Sequence, residues 1–265
     1  NAEALVDAAW VENNRNDPSM VVVGFMPLDE FERGHIPGSA QIDYPELEVT
    51  DTSDASIADW RDDVGRLLGN LGITPDSTVV AYDEGTLFAA RLWWILRYLG
   101  HENVTVLNGG MPAWRELRIE AATGPADSPA ATKSYAGDPQ PDRLAQMQEV
   151  ELSLDDDAVV ILDARTPEEY VEGHIPGAVN LNFPLNALPE PPKFWKPADE
   201  LMAMYEEVGV TPDLQVIPYC STGVRSAVTA FTLHLIGYED VALYTGSWLE
   251  WEADLDTPKA EGDQS

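Results

Sequence analysis

The stretch Gln215-Val216-Ile217-Pro218-Tyr219-Cys220-Ser221-Thr222-Gly223-Val224-Arg225 decides the fold. Its first five residues form a largely apolar run of buried-strand type. From Arg225 to Ile236 the apolar spacing and length are helical, and Gly237 stands where a C-cap belongs. A strand that runs through a short turn into a helix implies an α/β sheet. In such sheets ligands sit beyond the carboxyl ends of strands, often at a helix N-terminus. Cys220, the only cysteine of the chain, occupies that place.

Such a turn has a specific chemical use. With Gly223 free to adopt an unusual φ, several backbone N–H groups can point inward around the cysteine side chain. Together with the positive end of the helix dipole they stabilise an anion, so the thiol is expected to react as a thiolate. Arg225 adds a fixed positive charge, and Ser221 and Thr222 are candidate donors to a bound sulfur anion or simply good turn residues. A buried structural cysteine is the bland alternative; the small, polar and basic residues that follow Cys220 weigh against it.

Working outward, the chain repeats itself. At an offset of 139, Val21–Pro27 aligns with Val160–Thr166, and Phe31-Glu32-Arg33-Gly34-His35-Ile36-Pro37-Gly38 aligns with Tyr170-Val171-Glu172-Gly173-His174-Ile175-Pro176-Gly177. At an offset of 137, Gly72–Asp76 meets Gly209–Asp213, Val79–Asp83 meets Val216–Cys220, and Leu96–Gly100 meets Leu233–Gly237. Two copies of one domain are expected over 1–120 and 147–265. Between them 121–146, rich in Ala, Pro, Gly, Ser and Asp, reads as an exposed linker. The second copy also predicts a strand over Val159–Leu162.

The copies differ where chemistry would reside. Cys220 is matched by Asp83, Arg225 by Phe88, and Asp163 and Arg165 by Gly24 and Met26. The first copy therefore reads as catalytically inert, with a structural or pocket-wall role. Arg165, at the end of a predicted strand with Asp163, is a candidate to attract an anion or one half of a structural pair. His35 and His174 occur in both copies, which favours a loop role over general-base chemistry. Trp248 is a candidate pocket wall or core residue.

These motifs resemble the rhodanese family in its tandem-domain sulfurtransferase form. The two His-Ile-Pro-Gly segments are similar to its N-terminal signature. Val241–Trp251 is similar to its C-terminal signature, with Thr245 where an acidic residue is more usual. Cys220–Arg225 is similar to its active-site loop. The resemblance implies two rhodanese-like domains, each a mostly parallel sheet flanked by helices. It also implies a Cys220 persulfide, loaded by a small anionic donor and unloaded by cyanide, a thiol or a thioredoxin-like acceptor. No metal or organic cofactor is implied.

Departures from the pattern bear on the donor. Thiosulfate-using tandem members carry a lysine where Thr222 stands and an arginine where Glu169 stands. Mercaptopyruvate-using members have Cys-Gly-Ser-Gly-Val, and Arg225 resembles the loops of single-domain rhodaneses. Thiosulfate is favoured, with 3-mercaptopyruvate as runner-up. A cysteine phosphatase or arsenate reductase needs a Cys-x5-Arg loop, one residue longer than here, and a non-catalytic sulfur carrier is the third reading.

Asp and Glu outnumber Lys and Arg by 47 to 15, a net of −32. This excess excludes nucleic acid and anionic membranes as partners, and predicts a halophilic protein whose self-repulsion is screened by salt. It also requires local positive charge to capture an anionic donor, for which Arg165 and Arg225 are the candidates. No apolar run approaches the ~18–20 residues of a membrane span, and Asn1–Leu5 lacks the features of a secretory signal. A cytoplasmic location is expected, and pairing of the two domains is compatible with a monomer.

Overall fold

The computed structural model describes residues 1–126 and 134–262. The first copy runs β1 (Leu5–Val6), α1 (Ala8–Asn14), β2 (Met20–Phe25), α2 (Leu28–Arg33), β3 (Ala40–Ile42), α3 (Asp54–Asn70), β4 (Thr78–Tyr82), α4 (Ala89–Tyr98), β5 (Val104–Leu107) and α5 (Gly110–Glu116). The second runs β6 (Leu144–Ala145), α6 (Met147–Leu152), β7 (Val159–Asp163), α7 (Pro167–Glu172), β8 (Val179–Asn180), α8 (Ala198–Glu207), β9 (Gln215–Tyr219), α9 (Val224–Leu235), β10 (Leu243–Tyr244) and α10 (Ser247–Ala253). The same alternation of strand and helix occurs twice, as the duplicated sequence requires.

Every ladder pairing is parallel. The first sheet has the order β1-β5-β4-β2-β3. In the second, β8-β7-β9 form one ladder and β10-β6 another. A parallel bridge between Val216 and Val241 ties the two, so the order of the first sheet is reproduced. Valine runs such as Val21–Val23 and Val79–Val80 build the central strands because β-branched side chains pack well on a pleated surface covered on both faces. Both β4 and β9 are central, and their carboxyl ends lead into α4 and α9.

The expected strand over Val159–Leu162 extends to Asp163, and α9 covers Val224–Leu235, one residue earlier at each end than the helical spacing predicts. The segment expected as an exposed linker departs further from its sequence reading. Ala122 bridges to His35, Tyr135 is buried with its N–H on the Gly65 carbonyl, and Leu144–Ala145 is a strand of the second sheet. The second sheet thus takes up chain before residue 147. A two-residue strand is too short to leave a periodic trace in sequence. The rest of that stretch, 127–133, lies outside the described residues.

The two copies share one core. Helices α4 and α9 pack against each other, with the rings of Trp93 and Phe231 edge-on at 4.8 Å, and buried apolar residues of both halves join in one cluster. Near the carboxyl ends of the sheets, Thr52 donates its hydroxyl to Glu250 at 2.8 Å and accepts the Met147 N–H at 3.0 Å. Among the described residues no helix is long and apolar enough to cross a membrane.

Candidate active site

Cys220 follows the last residue of β9 and is 1 % exposed. Its Sγ accepts the Gly223 N–H at 3.2 Å and the Ser226 hydroxyl at 3.6 Å. Gly223 caps α9 at φ +85°, a left-handed conformation that glycine adopts without strain. A Cβ there would lie 2.9 Å from the Thr245 carbonyl oxygen. The turn is also stitched to the next strand–helix junction. The Cys220 N–H donates to Ser247 Oγ at 3.2 Å, and the Trp248 N–H donates to the Cys220 carbonyl at 3.0 Å. Ser247 holds a positive φ of 58°, a local strain that the surrounding hydrogen bonds sustain.

Arg225 lies on the first turn of α9 but its guanidinium is engaged. Nη1 and Nη2 donate to the two Glu169 oxygens at 2.7 and 2.8 Å, and Nη2 also donates to Ser221 Oγ at 2.5 Å. The Arg225 hydrogen bonds, opposed by burial and aided by the Thr166 N–H, hold the Glu169 carboxyl down at about 2. Glu169 stands there for a local reason too: with Thr166 it forms the capping box that starts α7.

Arg165 and Asp163 form a buried pair. Arg165 Nη2 donates to Asp163 Oδ2 at 2.7 Å and to the Gly173 carbonyl at 2.6 Å, while Tyr219 Oη donates to Asp163 Oδ2 at 2.6 Å. Burial works against the Arg165 charge, and the Asp163 hydrogen bonds and charge more than offset it. The Trp248 ring covers the guanidinium at 4.7 Å. Of the two roles expected for Arg165 the geometry therefore favours the structural one, and Trp248 packs over this pair. His35 and His174 take loop roles: each Nδ1 meets a carbonyl one turn back, of Phe31 and Tyr170, and each ring stacks on that residue's ring.

The loop thus sets the Gly223 N–H and the Ser226 hydroxyl on the Cys220 sulfur, while Ser221 joins the Arg225–Glu169 pair, Val224 is buried at the start of α9 and Thr222 is half-buried. The sequence reading does not single out Ser226, Ser247 or Arg91. A hydroxyl directly after Arg225 is the signal for Ser226, and an arginine inside the apolar run Ala89–Leu96 is the signal for Arg91. A cleft of about 760 Å³, lined by Trp10, Trp93, Arg97 and His234 among others, lies at the opposite, amino ends of β4 and β5.

In the first copy the same turn is filled by its own carboxylate. Asp83 Oδ1 accepts the N–H groups of Gly85 and Thr86 at 2.7 and 3.0 Å, and Oδ2 accepts that of Ala89 at 2.8 Å. Burial pushes the Asp83 carboxyl up, against the pull of these donors.

The rhodanese-like domain family matches residues 7–117 and again 146–254. The chain belongs to the rhodanese family. It carries the tandem arrangement and is similar over nearly its whole length to full-length family members. It is 30 % identical to the thiosulfate sulfurtransferase of Azotobacter vinelandii, over 96 % of each chain. It is 31 % identical to a sulfur carrier protein of Thermus thermophilus, covering 99 % of this chain and 98 % of the relative. The crystal structure of Escherichia coli SseA, a 3-mercaptopyruvate sulfotransferase with the rhodanese fold, superposes with a TM-score of 0.80. The identity there is 29 %, over 93 % of this chain and 99 % of that one. Family relatives named as sulfurtransferases support an enzyme of that class.

Proposed function

We propose that the protein moves sulfane sulfur from thiosulfate to cyanide or a thiol acceptor through a persulfide on Cys220. The observation that carries this reading is the sulfur's position: Cys220 Sγ ends a central strand and receives the Gly223 N–H and the Ser226 hydroxyl. Both donors strengthen as negative charge gathers on sulfur. The Cys220 thiolate attacks the outer sulfur of thiosulfate. The donor S–S bond breaks, sulfite departs with the bonding pair, and a persulfide anion remains in the turn. Cyanide then attacks the terminal sulfur, leaves as thiocyanate and regenerates the thiolate. The protein's own residues hold the anion in each state, and no cofactor enters either step.

One observation favours a second donor. Because Glu169 neutralises Arg225, the loop attracts a doubly charged donor less strongly than a free arginine would. With 3-mercaptopyruvate, the thiolate takes the donor sulfur, the carbon–sulfur bond breaks toward carbon, and the resulting enolate is protonated to pyruvate. Sulfite release from thiosulfate and pyruvate release from 3-mercaptopyruvate, measured in parallel with cyanide as acceptor, choose between them. Faster sulfite release supports thiosulfate; faster pyruvate release replaces it. Phosphatase chemistry fits poorly, since the Cys-x4-Arg loop is short and its arginine already binds a carboxylate. Release of neither product directs attention to a protein-specific sulfur carrier. The acidic surface further suggests a salt-rich cytoplasm as the working environment.

A further inference from the structure

Arg91 belongs to α4, in the half without a nucleophile, and is fully buried. Its Nη2 donates to the Leu47 carbonyl at 3.0 Å and to Thr245 Oγ1 at 2.8 Å. The guanidinium lies over the Trp94 ring at 4.9 Å. Nε and Nη1 have no hydrogen-bond partner, and among the described residues no carboxylate pairs with it. A buried cation without a counter-charge is costly, and such groups persist where an anion completes them.

The place where that anion belongs is set by Gly223. A Cβ built on Gly223 would lie 3.2 Å from Arg91 Nη1, and the N–H of this same residue donates to Cys220 Sγ. Of the other charges near the sulfur, Arg165 is paired with Asp163 from β7, and Arg225, although it also interacts with Cys220, is held by Glu169 from α7. Burial lowers the Arg91 guanidinium to about 10, with the Cys220 thiolate and then Glu48 opposing that shift, so it stays charged at neutral pH.

We propose that Arg91 is a positioning residue supplied by the nucleophile-free half, whose counter-ion is the Cys220 sulfur anion, the thiolate before loading and the persulfide after. Thr245 makes this possible by anchoring the guanidinium through a neutral hydroxyl. The first copy thereby contributes charge to the site as well as scaffold. The inference rests on the sulfur-carrying reading of Cys220, but its test reads the thiolate directly.

The test is alkylation of the full chain, whose only thiol is Cys220, by iodoacetamide in molar KCl at pH 7 and pH 10. The ratio of the two rates reports the thiolate fraction independently of access. Arg91→Met is expected to lower that ratio by about threefold or more, the effect of losing one neighbouring opposite charge on a thiol that is substantially ionised at pH 7. Arg91→Lys, which keeps the charge, restores most of it, as a merely structural role for the guanidinium fork would not. Thr245→Asp, which sets a carboxylate against the guanidinium, lowers the ratio as well. A wild-type ratio in Arg91→Met and Thr245→Asp overturns the proposal, and if Arg91→Met does not fold, Thr245→Asp decides alone. A lowered ratio in a protein that takes up no sulfur from either donor would sustain the Arg91 relationship and sink the sulfur-transfer reading.

Discussion

Asp83 and Cys220 occupy the same position in the two halves and receive donors from the same places in the turn. The third residue onward gives its N–H in both, Thr86 to Asp83 Oδ1 and Gly223 to Cys220 Sγ. The sixth gives the Ala89 N–H in one and the Ser226 hydroxyl in the other. A carboxyl group is thus seated where the sulfur lies in the second half. The turn points N–H donors inward in both halves, and in the first they are taken up by Asp83.

That relationship makes Cys220→Asp an informative substitution. The variant is expected to fold, because the twin turn already accommodates aspartate, and to lose sulfur uptake entirely. Thermal unfolding should stay within a few degrees of wild type, a change of about 1 kcal/mol or less on this scale. A variant that is unfolded at room temperature would show that the two turns are not equivalent cradles.

Glu169 restrains Arg225, so removing its charge should help an anionic donor. In Glu169→Gln the thiosulfate KM is expected to fall by about three- to tenfold with kcat little changed, the pattern of added uniform binding. The same pair has a pH signature. Its carboxylate is held at about 2 in the folded protein, below the ordinary value of about 4.3 for an unfolded glutamate. Its stabilising contribution is therefore present above about pH 4.3 and disappears as pH falls through about 2. Denaturation curves of wild type and Glu169→Gln should converge across that window; curves that stay parallel would dissociate Glu169 from Arg225.

Much of this fold is legible in the sequence because the duplication states it twice. The strand Gln215–Tyr219 and the helix that follows emerge from the apolar pattern, and the absence of Cys, Arg and Asp from the first copy points to the second as the half proposed to carry the chemistry. The site is less legible. Glu169 reads as a mere departure until α7 brings it against Arg225. Arg91 lies 129 positions before Cys220 in the chain, and only the packing of α4 on α9 sets it behind the turn. Leu144–Ala145 is hidden for another reason: a short strand at a sheet edge has no periodic signal of its own.

Gly223→Ala tests whether the turn must be this tight. The substitution forces a Cβ into a positive-φ position and toward the Thr245 carbonyl. It is expected to destabilise by about 1–3 kcal/mol and to slow sulfur loading by more than tenfold, since the displaced N–H leaves Sγ. Loading at the wild-type rate in a destabilised protein would mean that this N–H contributes nothing to the chemistry.

With a net charge of −32, self-repulsion should be relieved by salt. The melting temperature is expected to rise by several degrees between 0.1 and about 2 M KCl. A flat or falling curve would remove salt adaptation from the account.

The most direct test of the central claim is intact mass. Wild-type protein in molar KCl, incubated with thiosulfate or 3-mercaptopyruvate, should gain one sulfur, about 32 Da, and lose it on adding cyanide. Cys220→Ala should gain nothing. A folded wild-type chain that takes up no sulfur from either donor, or a Cys220→Ala chain that takes it up equally well, would contradict the persulfide mechanism.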